Sequence, residues 1–427
     1  MNQILLAREH RSEHIKQLID NYPSRSIAVL KLNVVGENKN PSYMKFICLL
    51  FNQYMYEEFA YKIEKSEKVS SVDGDYIYYI IHEKGNIVKE RTMYIEDHHY
   101  LGRLIDIDVY HEKSISRADL KCEMRTCLIC DNYAHICSRN KTHSSEVIQA
   151  KVRSIIKENL VPMVLNEVIA QIYYELEMHP RFGLVGKMNP GAHDDMDFEL
   201  FMKSTYSIKP FLKEFVEMGL GEIDPLQLQK IGQKAEQAMY KATSGVNTQK
   251  GLIFALGIFL PAFVNSIVEN QDEAYLIEKI KVIAIEIIGD YYDHLQNKED
   301  PSHGDRIFLL HGIKGIRGEA LNGFKLVFDE VENADGSIRD PYEYLLHFMS
   351  QLDDTTIIHR KGLNGLRKVQ KETNLLVENG GYKQNKLYYE TLSDRYKQTG
   401  ISPGGSSDLL VMKLIYENLK YLLKQKD

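Results

Sequence analysis

The sequence predicts an α/β N-terminal domain built on a mixed sheet, followed by a larger all-α domain. Its 427 residues exceed what one hydrophobic core usually organises, so two domains are expected. The first third of the chain mixes strand and helix patterns, whereas apolar residues recur at helical spacing in the remainder. We therefore predict domains at residues 1–150 and 151–427, which meet through a helix near residues 145–160 because no Gly/Ser-rich linker intervenes.

Short β-branched and aromatic runs in the N-terminal domain predict strands. Residues 24–35 form one run and residues 76–81 another, and a glycine turn closes each of them. We expect residues 87–95 to pair with the second run as a hairpin. Residues 41–61 carry aromatic and aliphatic side chains at helical spacing, so this stretch is predicted to be a helix.

The C-terminal domain is predicted to be a series of amphipathic or buried helices. Its longest apolar stretch, residues 252–264, is well short of the roughly 20 residues that span a bilayer, so we interpret it as a buried helix. The other predicted helices cover residues 161–176, 225–242, 273–297, 342–353 and 409–423. No membrane partner is expected.

Charge and cysteine content restrict the class of protein. The formal net charge of −7 excludes a general attraction to nucleic acid, because such binding needs a basic surface that releases phosphate counterions. Residues 1–21 carry charges of both signs around short apolar runs, which is not the pattern of a signal peptide. Four of the five cysteines crowd between Cys122 and Cys137, which forms no disulfide framework and indicates a reducing compartment. We expect a cytoplasmic protein.

An Asp-x-Asp pair marks the N-terminal domain. Asp106 and Asp108 lie in an apolar, strand-like run, and strand alternation puts both carboxylates on one face. Such a pair can hold the magnesium ions that phosphoryl and nucleotidyl transferases use, and Arg103 could neutralise phosphate charge nearby. An ordinary exposed strand face would carry the same pattern, although the preceding residues 95–101 are also dense in metal-binding and phosphate-binding groups.

A cysteine cluster follows the Asp-x-Asp pair. Cys127, Cys130, Cys137 and His143 are compatible with a four-ligand, tetrahedral zinc site. The alternative is a cluster of reduced cysteines that packs and shapes a loop.

Acidic and histidine residues gather in two segments of the C-terminal domain. The first, residues 179–198, is an irregular loop rich in proline and glycine that enters a helix at an Asp-Asp-x-Asp cluster. Three acids so close together repel each other unless a cation bridges them. The second segment is residues 352–360. The candidate residues of the two segments are Arg181, His193, Asp194, Asp195, Asp197, Asp353, Asp354, His359 and Arg360.

Three further segments combine glycine, small polar and basic residues. Residues 242–251 form a small polar loop that opens an apolar helix, which suits an anion at the helix start. Residues 303–320 flank an arginine with glycines, and residues 402–409 form a glycine turn that would alternatively only cap its helix. Together the five segments predict a pocket for a metal and a polyphosphate. The phosphate-binding candidates here are Asn247, Lys250, Arg306, Arg317, Gly404, Gly405 and Ser406.

Particular motifs make the chain similar to two known enzyme families. Up to about residue 150 it resembles the apo-citrate lyase phosphoribosyl-dephospho-CoA transferases, through Leu32-Asn33-x-x-Gly36, His99-x-Leu101-Gly102-Arg103-Leu104-x-Asp106-x-Asp108-Val109 and Arg125-x-Cys127-Leu128-x-Cys130. The remainder resembles triphosphoribosyl-dephospho-CoA synthases through all five polar segments, and the whole chain resembles a fusion of the two. It departs from the usual family residues at Tyr100, Gly186 and Gln249, where proline, aspartate and histidine are common.

The resemblance implies a nucleotidyltransferase-like N-terminal fold and two coupled reactions. A synthase domain would convert ATP and 3'-dephospho-CoA into 2'-(5''-triphosphoribosyl)-3'-dephospho-CoA and adenine. A transferase domain would then attach phosphoribosyl-dephospho-CoA to a serine of the apo acyl carrier protein, the γ subunit of citrate lyase, with release of pyrophosphate. The cofactor implied is Mg²⁺.

The resemblance also suggests residue roles. Asp106 and Asp108 would bind magnesium in the transferase domain, with Arg103 holding phosphates. Magnesium ligands and a general base in the synthase domain would come from Asp194, Asp195, Asp197, Asp353 and Asp354, while His193 and His359 would donate a proton or bind phosphate. Three alternatives stay open: a magnesium-dependent N-glycoside hydrolase of the ADP-ribosyl type, a relative that serves malonate decarboxylase, and a zinc-stabilised module that only docks the carrier.

Overall fold

The computed structural model describes residues 2–36, 38–297, 299–330 and 340–424. These residues form two compact units. The N-terminal unit holds the chain up to Leu160 together with residues 267–271 and 421–424, and the helical unit holds residues 161–266 and 272–420. The division falls inside a long helix, Ser145–Glu177.

The N-terminal unit is a five-stranded sheet with helices, which confirms the predicted fold class. The strand order is β2-β3-β1-β4-β5, and all four pairings are antiparallel rather than mixed. Short turns join β2 to β3 and β4 to β5, and such turns can connect only antiparallel neighbours. The elements are α1 Asn2–Asn21, β1 Ser26–Leu32, α2 Ser42–Phe59, β2 Ile63–Val69, β3 Tyr76–Ile81, α3 Gly85–His98, β4 Ile105–His111, β5 Lys113–Ile115 and α4 Ala134–Asn140.

The prediction that residues 87–95 pair with residues 76–81 as a hairpin is wrong, because residues 87–95 are part of helix α3. Strand β3 pairs with β1 and β2 instead. Val88, Thr92 and Ile95 are buried in α3, and their spacing of four and three residues is that of one helix face. The period of the buried positions therefore outweighs the β-branched composition of the stretch.

The position of β4 decides what its side chains can do. Strands β1 and β3 are buried along nearly their whole length. In β4 the burial alternates, with Ile105, Ile107 and Val109 fully buried and the residues between them half-buried. One face of β4 therefore belongs to the core, and Asp106 and Asp108 lie on the open face, as the alternation predicts.

The helical unit contains no strand among its described residues. Its helices are α5 Ser145–Glu177, shared with the first unit, α6 Phe198–Met218, α7 Pro225–Ala242, α8 Lys250–Val268, α9 Glu273–Ile288, α10 His303–His311, α11 Ile316–Leu321, α12 Lys325–Phe328, α13 Pro341–Gln351, α14 Thr355–Glu378, α15 Gly381–Gln384, α16 Lys386–Gln398 and α17 Gly404–Leu419. Helix α9 ends nine residues before the predicted 297, because Gly289 takes a positive φ of 46°.

Helix α8 is the core of this unit. Leu256, Phe259 and Phe263 are fully buried, which confirms the buried helix predicted at residues 252–264. Among the described residues, α8 alone is long and apolar enough to cross a membrane. Since 89% of its most apolar window is buried inside the protein, its composition is explained by the core.

Candidate active sites

The structure brings Asp106 and Asp108 together around a lysine. Lys31 on β1 pairs in register with Asp106, and its Nζ lies 3.1 Å from Asp106 Oδ2 and 2.6 Å from Asp108 Oδ2. Both carboxylates remain about two-fifths exposed, at 42% and 38%. Burial opposes ionisation of Asp106, but the Lys31 ammonium outweighs it, so the pKa of Asp106 is lowered.

Two carboxylates side by side are a donor set that suits Mg²⁺, so these residues fit the ion that the resemblance implies. Lys31 was not among the predicted site residues, and its only signal in the sequence is a charge inside the apolar run of β1. The ammonium already neutralises part of the negative charge that would attract a divalent ion.

The Lys31→Met variant is expected to bind Mg²⁺ at least about tenfold more tightly than the unmodified protein. Removing the Lys31 charge removes its repulsion of a Mg²⁺ ion bound at the two carboxylates. This repulsion is expected to be at least as large as the free energy of a tenfold change in affinity, about 1.4 kcal/mol. Competition of Mg²⁺ against paramagnetic Mn²⁺ measures this affinity directly. Lys45→Met is the matched control, because Lys45 pairs with Asp75 elsewhere in the unit. Unchanged or weaker binding in Lys31→Met would show that the acid pair is not the site.

Helix α3 fixes β4 between the two aspartates. Glu96 accepts a 2.6 Å hydrogen bond from the backbone N–H of Ile107, and Lys89 Nζ donates a 2.8 Å bond to the carbonyl of Ile107. Both side chains are buried, Glu96 with 1% exposure. Two side chains therefore bind the N–H and the carbonyl of one β4 residue in the way that a neighbouring strand would.

A group of arginines surrounds the start of β4. Arg117 binds Glu96 and Asp97, each at 2.7 Å, and Arg125 binds Glu96 at 3.1 Å and the carbonyl of Ile105 at 2.8 Å. Burial raises the pKa of Glu96 in spite of these cations. Glu96, Arg117 and Arg125 were not among the predicted site residues, since their pairing is visible only in three dimensions.

The predicted phosphate ligand Arg103 lies in this group. Its guanidinium donates to the carbonyl of Thr126 and, at 3.4 Å, to the hydroxyl of Thr126. Burial and the nearby Arg125 lower the pKa of Arg103. The concentration of positive charge suits a phosphate, with Arg103 held by the loop that follows β5.

The cysteine cluster predicted from the sequence is also assembled. The ligand atoms of Cys127, Cys130, Cys137 and His143 all lie within 4.8 Å of one another. Among the described residues, no other set of three or more histidine, cysteine, aspartate or glutamate side chains is gathered so closely.

In the helical unit, His193 joins the loop before α6 to α14. Arg360 Nη2 lies 2.8 Å from His193 Nδ1, and His193 Nε2 lies 2.9 Å from Ser402 Oγ. Because a guanidinium can only donate, Nδ1 accepts and Nε2 carries the proton that is donated to Ser402. Burial and the Arg360 charge lower the pKa of His193 to about 4, so the imidazole is neutral at pH 7.

Asp354 lies at the start of two helices. It caps α14 by accepting from the N–H of Thr356 at 2.9 Å, and it accepts from the N–H and hydroxyl of Ser406 in α17 at 2.9 and 3.1 Å. Its carboxylate is buried, and burial raises its pKa although these donors oppose the rise. The arrangement uses Asp354, Gly405 and Ser406 to hold two helix N-termini together, so no oxygen of Asp354 is left with an open approach.

Two acids near Asp354 were missed by the sequence analysis. Burial, with Asp354 and Glu175 nearby, raises the pKa of Asp408 well above its usual range. The carboxylate of Asp408 lies against Gly251 at the start of α8, where a Cβ would collide with it. Glu175 accepts from Ser407 Oγ at 2.5 Å and pairs with the buried Arg181. The guanidinium of Arg181 is thereby paired inside the unit, and this does not support its predicted role as a phosphate ligand.

A basic face lies at the N-terminal ends of α10 and α14. The rings of His303 and His359 stack with centroids 3.6 Å apart. Burial, followed by His303, Arg360 and Arg306, lowers the pKa of His359. The structure therefore brings together His359, Arg306 and Arg360 as predicted, and it adds His303.

Three other predicted phosphate ligands are occupied within the unit. Lys250 pairs with Glu236 at 2.9 Å, and Asn247 accepts from the Lys250 backbone N–H at 3.1 Å as part of the helix start. Arg317 pairs with the fully buried Asp305 at 3.3 Å and lies over the ring of Tyr291.

The predicted acidic residues do not converge on one cation. Asp194 and Asp195 are exposed, and Asp197 caps α6 by accepting from the N–H of Leu200 at 2.8 Å. Asp353 pairs with Arg367 at 3.1 Å. Within the part of the chain that the structure describes, these aspartates form no close group of three ligand atoms.

Glu319 on α11 is the acid that this region adds. Burial, then Asp353 and Asp329, raise the pKa of Glu319 to about 7. A carboxylate that titrates near neutrality suits acid–base chemistry. Glu319 is therefore a candidate acid–base residue of this unit, and Asp353 supplies a negative charge near it.

Comparison with known proteins also divides the chain into two parts. The family model described as "CitG: ATP:dephospho-CoA triphosphoribosyl transferase" matches residues 169–427, and "CitX: Apo-citrate lyase phosphoribosyl-dephospho-CoA transferase" matches residues 1–159. "Protein CitXG" of Haemophilus influenzae is 28% identical over 97% of this chain and 95% of its own length. "Protein CitXG" of Leuconostoc mesenteroides subsp. cremoris is 27% identical over 98% of this chain and 96% of its own length.

A shorter relative covers part of the chain. The "Probable 2-(5''-triphosphoribosyl)-3'-dephosphocoenzyme-A synthase" of Streptococcus mutans is 33% identical over 60% of this chain and 95% of its own length. The chain belongs to the ATP:dephospho-CoA triphosphoribosyl transferase family, carries an apo-citrate lyase phosphoribosyl-dephospho-CoA transferase domain before it, and is a bifunctional transferase of citrate lyase prosthetic group biosynthesis.

Proposed function

We propose that the helical unit makes 2'-(5''-triphosphoribosyl)-3'-dephospho-CoA and that the N-terminal unit transfers it to the citrate lyase acyl carrier protein. The observation that carries this proposal is the match of two family models to successive parts of one chain, each containing its own charged site. ATP and 3'-dephospho-CoA are the proposed substrates, the apo carrier protein is the proposed partner, and the cytoplasm is the proposed location.

In the synthase reaction, the ribose 2'-hydroxyl of dephospho-CoA attacks the anomeric carbon of ATP. The new C–O bond forms as the C–N bond to adenine breaks, the released adenine takes up a proton at its ring nitrogen, and the triphosphate stays on the ribose. We assign the hydroxyl proton to Glu319, whose pKa of about 7 suits a general base. A positively charged ribose develops in such a displacement, and a carboxylate beside it would be stabilising.

The basic face formed by His303, Arg306, His359 and Arg360 would hold the triphosphate. His193 is neutral and hydrogen-bonded to Arg360, so its role would be to orient that guanidinium rather than to act as an acid. Asp353 would help to hold magnesium, which when bound would neutralise phosphate charge.

In the transferase reaction, a serine hydroxyl of the carrier attacks the α-phosphorus of the adduct, and the bond to pyrophosphate breaks. Asp106 and Asp108 would hold magnesium here, and Arg103 would attract the phosphates. Lys31 keeps the Asp106 carboxylate ionised, since its ammonium lowers the pKa of Asp106.

The first test follows free adenine by chromatography after the purified protein is mixed with ATP, magnesium and dephospho-CoA. We expect adenine only when dephospho-CoA is present. Adenine released without dephospho-CoA would indicate an N-glycoside hydrolase instead, and no adenine in either mixture would refute the synthase proposal.

The carrier is tested separately. Isolated adduct is incubated with apo carrier proteins from citrate lyase and from malonate decarboxylase, and the mass of each carrier is measured. A mass increase of the citrate lyase carrier alone is expected. Preference for the other carrier would overturn the partner and leave the chemistry in place.

A further inference from the structure

Three sulfur atoms and one imidazole nitrogen converge in the loop region after β5. Cys130 Sγ lies 3.5 Å from Cys137 Sγ and 3.3 Å from His143 Nε2, and Cys127 Sγ completes a set within 4.8 Å. All four side chains are half-buried or buried.

The spacings are those of ligands around one tetrahedral ion. Two thiolates at about 2.3 Å from Zn²⁺ are about 3.8 Å apart at a tetrahedral angle, and a thiolate and an imidazole nitrogen are about 3.6 Å apart. A disulfide would require about 2.05 Å between sulfurs, so the observed separation of 3.5 Å is not that of a covalent bond. Three sulfurs and one nitrogen in this geometry favour zinc over magnesium or calcium, which prefer oxygen ligands.

The backbone around Cys127 supports bound thiolates. The N–H of Ile129 points to Cys127 Sγ at 3.5 Å, and the N–H of Cys127 donates to the carbonyl of Asn132 at 2.7 Å. The bridge between Thr126 and Tyr133 closes this tight loop, and α4 then delivers Cys137. The first two cysteines are therefore presented by one turn, and the last two ligands by a helix and the residues after it.

This segment has almost no hydrophobic core of its own. From residue 116 to residue 143, Cys137 is the single buried residue. A stretch of this length without buried apolar side chains needs another source of stability, and a structural metal supplies one in small folds.

We propose that Cys127, Cys130, Cys137 and His143 bind one Zn²⁺ ion. The ion fastens the segment 116–143, from which Arg125 reaches the carbonyl of Ile105 and Arg117 reaches Glu96. The four ligands would thus position the start of β4 through this segment, without a proposed contact to substrate.

The test measures zinc in the full-length protein by mass spectrometry of the metal, after purification without a histidine tag. About one zinc per chain is expected, as for a single four-ligand site. Cys130→Ser is expected to lose at least nine-tenths of the metal. Cys122→Ser is the matched control, because Cys122 is an exposed cysteine of the same segment outside the cluster, and it is expected to keep the metal.

A conservative variant separates ligand loss from misfolding. His143→Cys offers a fourth thiolate and should retain zinc, whereas His143→Ala should lose it. The proposal would be overturned if the reduced, unmodified protein failed to take up zinc. It would also be overturned if Cys130→Ser held as much zinc as Cys122→Ser. A Cys130–Cys137 disulfide found by peptide mass spectrometry in protein purified from the cytoplasm would overturn it as well.

Limited proteolysis tests separately whether the ion fastens residues 116–143. Limited proteolysis of the zinc-loaded protein should spare residues 116–143, and chelation should expose them to cleavage there first. Equal cleavage with and without the chelator would show that the ion does not fasten the segment. Both measurements are independent of any enzymatic assay.

Discussion

Replacing Asp106 and Asp108 together with asparagine is expected to lower transfer to the carrier protein about 10³-fold or more while adenine release continues. The substitution keeps the size of both side chains but removes the two negative charges that would hold magnesium beside the phosphates. This pair belongs to the N-terminal unit, whereas the residues assigned to adenine release belong to the helical unit. Carrier mass after incubation with isolated adduct, and adenine by chromatography, measure the two activities in one preparation.

Asp20→Asn is the matched control, because Asp20 is exposed on α1, outside the acid pair. It should retain both activities. If the double variant still modified the carrier at the unmodified rate, the N-terminal unit would only dock the carrier. Loss of adenine release as well would point to a folding defect and contradict the assignment of the two activities to separate units.

Adenine release is expected to rise with pH through about 7 and then level off. Burial, Asp353 and Asp329 raise the pKa of Glu319 to about 7, and a general base works only in its ionised form. The rate therefore falls as the pH drops below 7 and Glu319 takes up a proton. The dependence of kcat/KM on pH between 6 and 8.5 measures this in the unmodified enzyme.

Glu319→Gln should reduce adenine release about 10²-fold or more and abolish the inflection near pH 7. Asp353→Asn should move the inflection to lower pH, since it removes a negative charge that raises the pKa of Glu319. Glu286→Gln, an exposed glutamate of α9, should leave both rate and profile unchanged. An inflection that persists in Glu319→Gln belongs to another group and would refute the assignment.

Features that depend on local periodicity could be predicted from the sequence. The alternation of β4 places Asp106 and Asp108 on one face, and the spacing of Cys127, Cys130, Cys137 and His143 anticipates their convergence. Both predictions use only the direction of neighbouring side chains or the known spacing of ligands.

Features that depend on the pairing of distant elements could not. Lys31 meets the acid pair because β1 and β4 are neighbours in one register, and no pattern in β1 states that register. Asp197 and Asp354 look like metal ligands in the sequence, but the structure uses them as helix caps. An acidic residue before a helix serves either purpose, and only its hydrogen-bond partners separate the two.

The contact between α3 and β4 also affects the tendency of the protein to aggregate at high concentration. Strand β5 pairs only with Val109, Tyr110 and His111, so the first half of β4 would otherwise present free backbone groups at a sheet border. Such borders recruit strands from other molecules and seed aggregates. By binding both the N–H and the carbonyl of Ile107, Glu96 and Lys89 block that recruitment beside Asp106 and Asp108, where the surface must stay open.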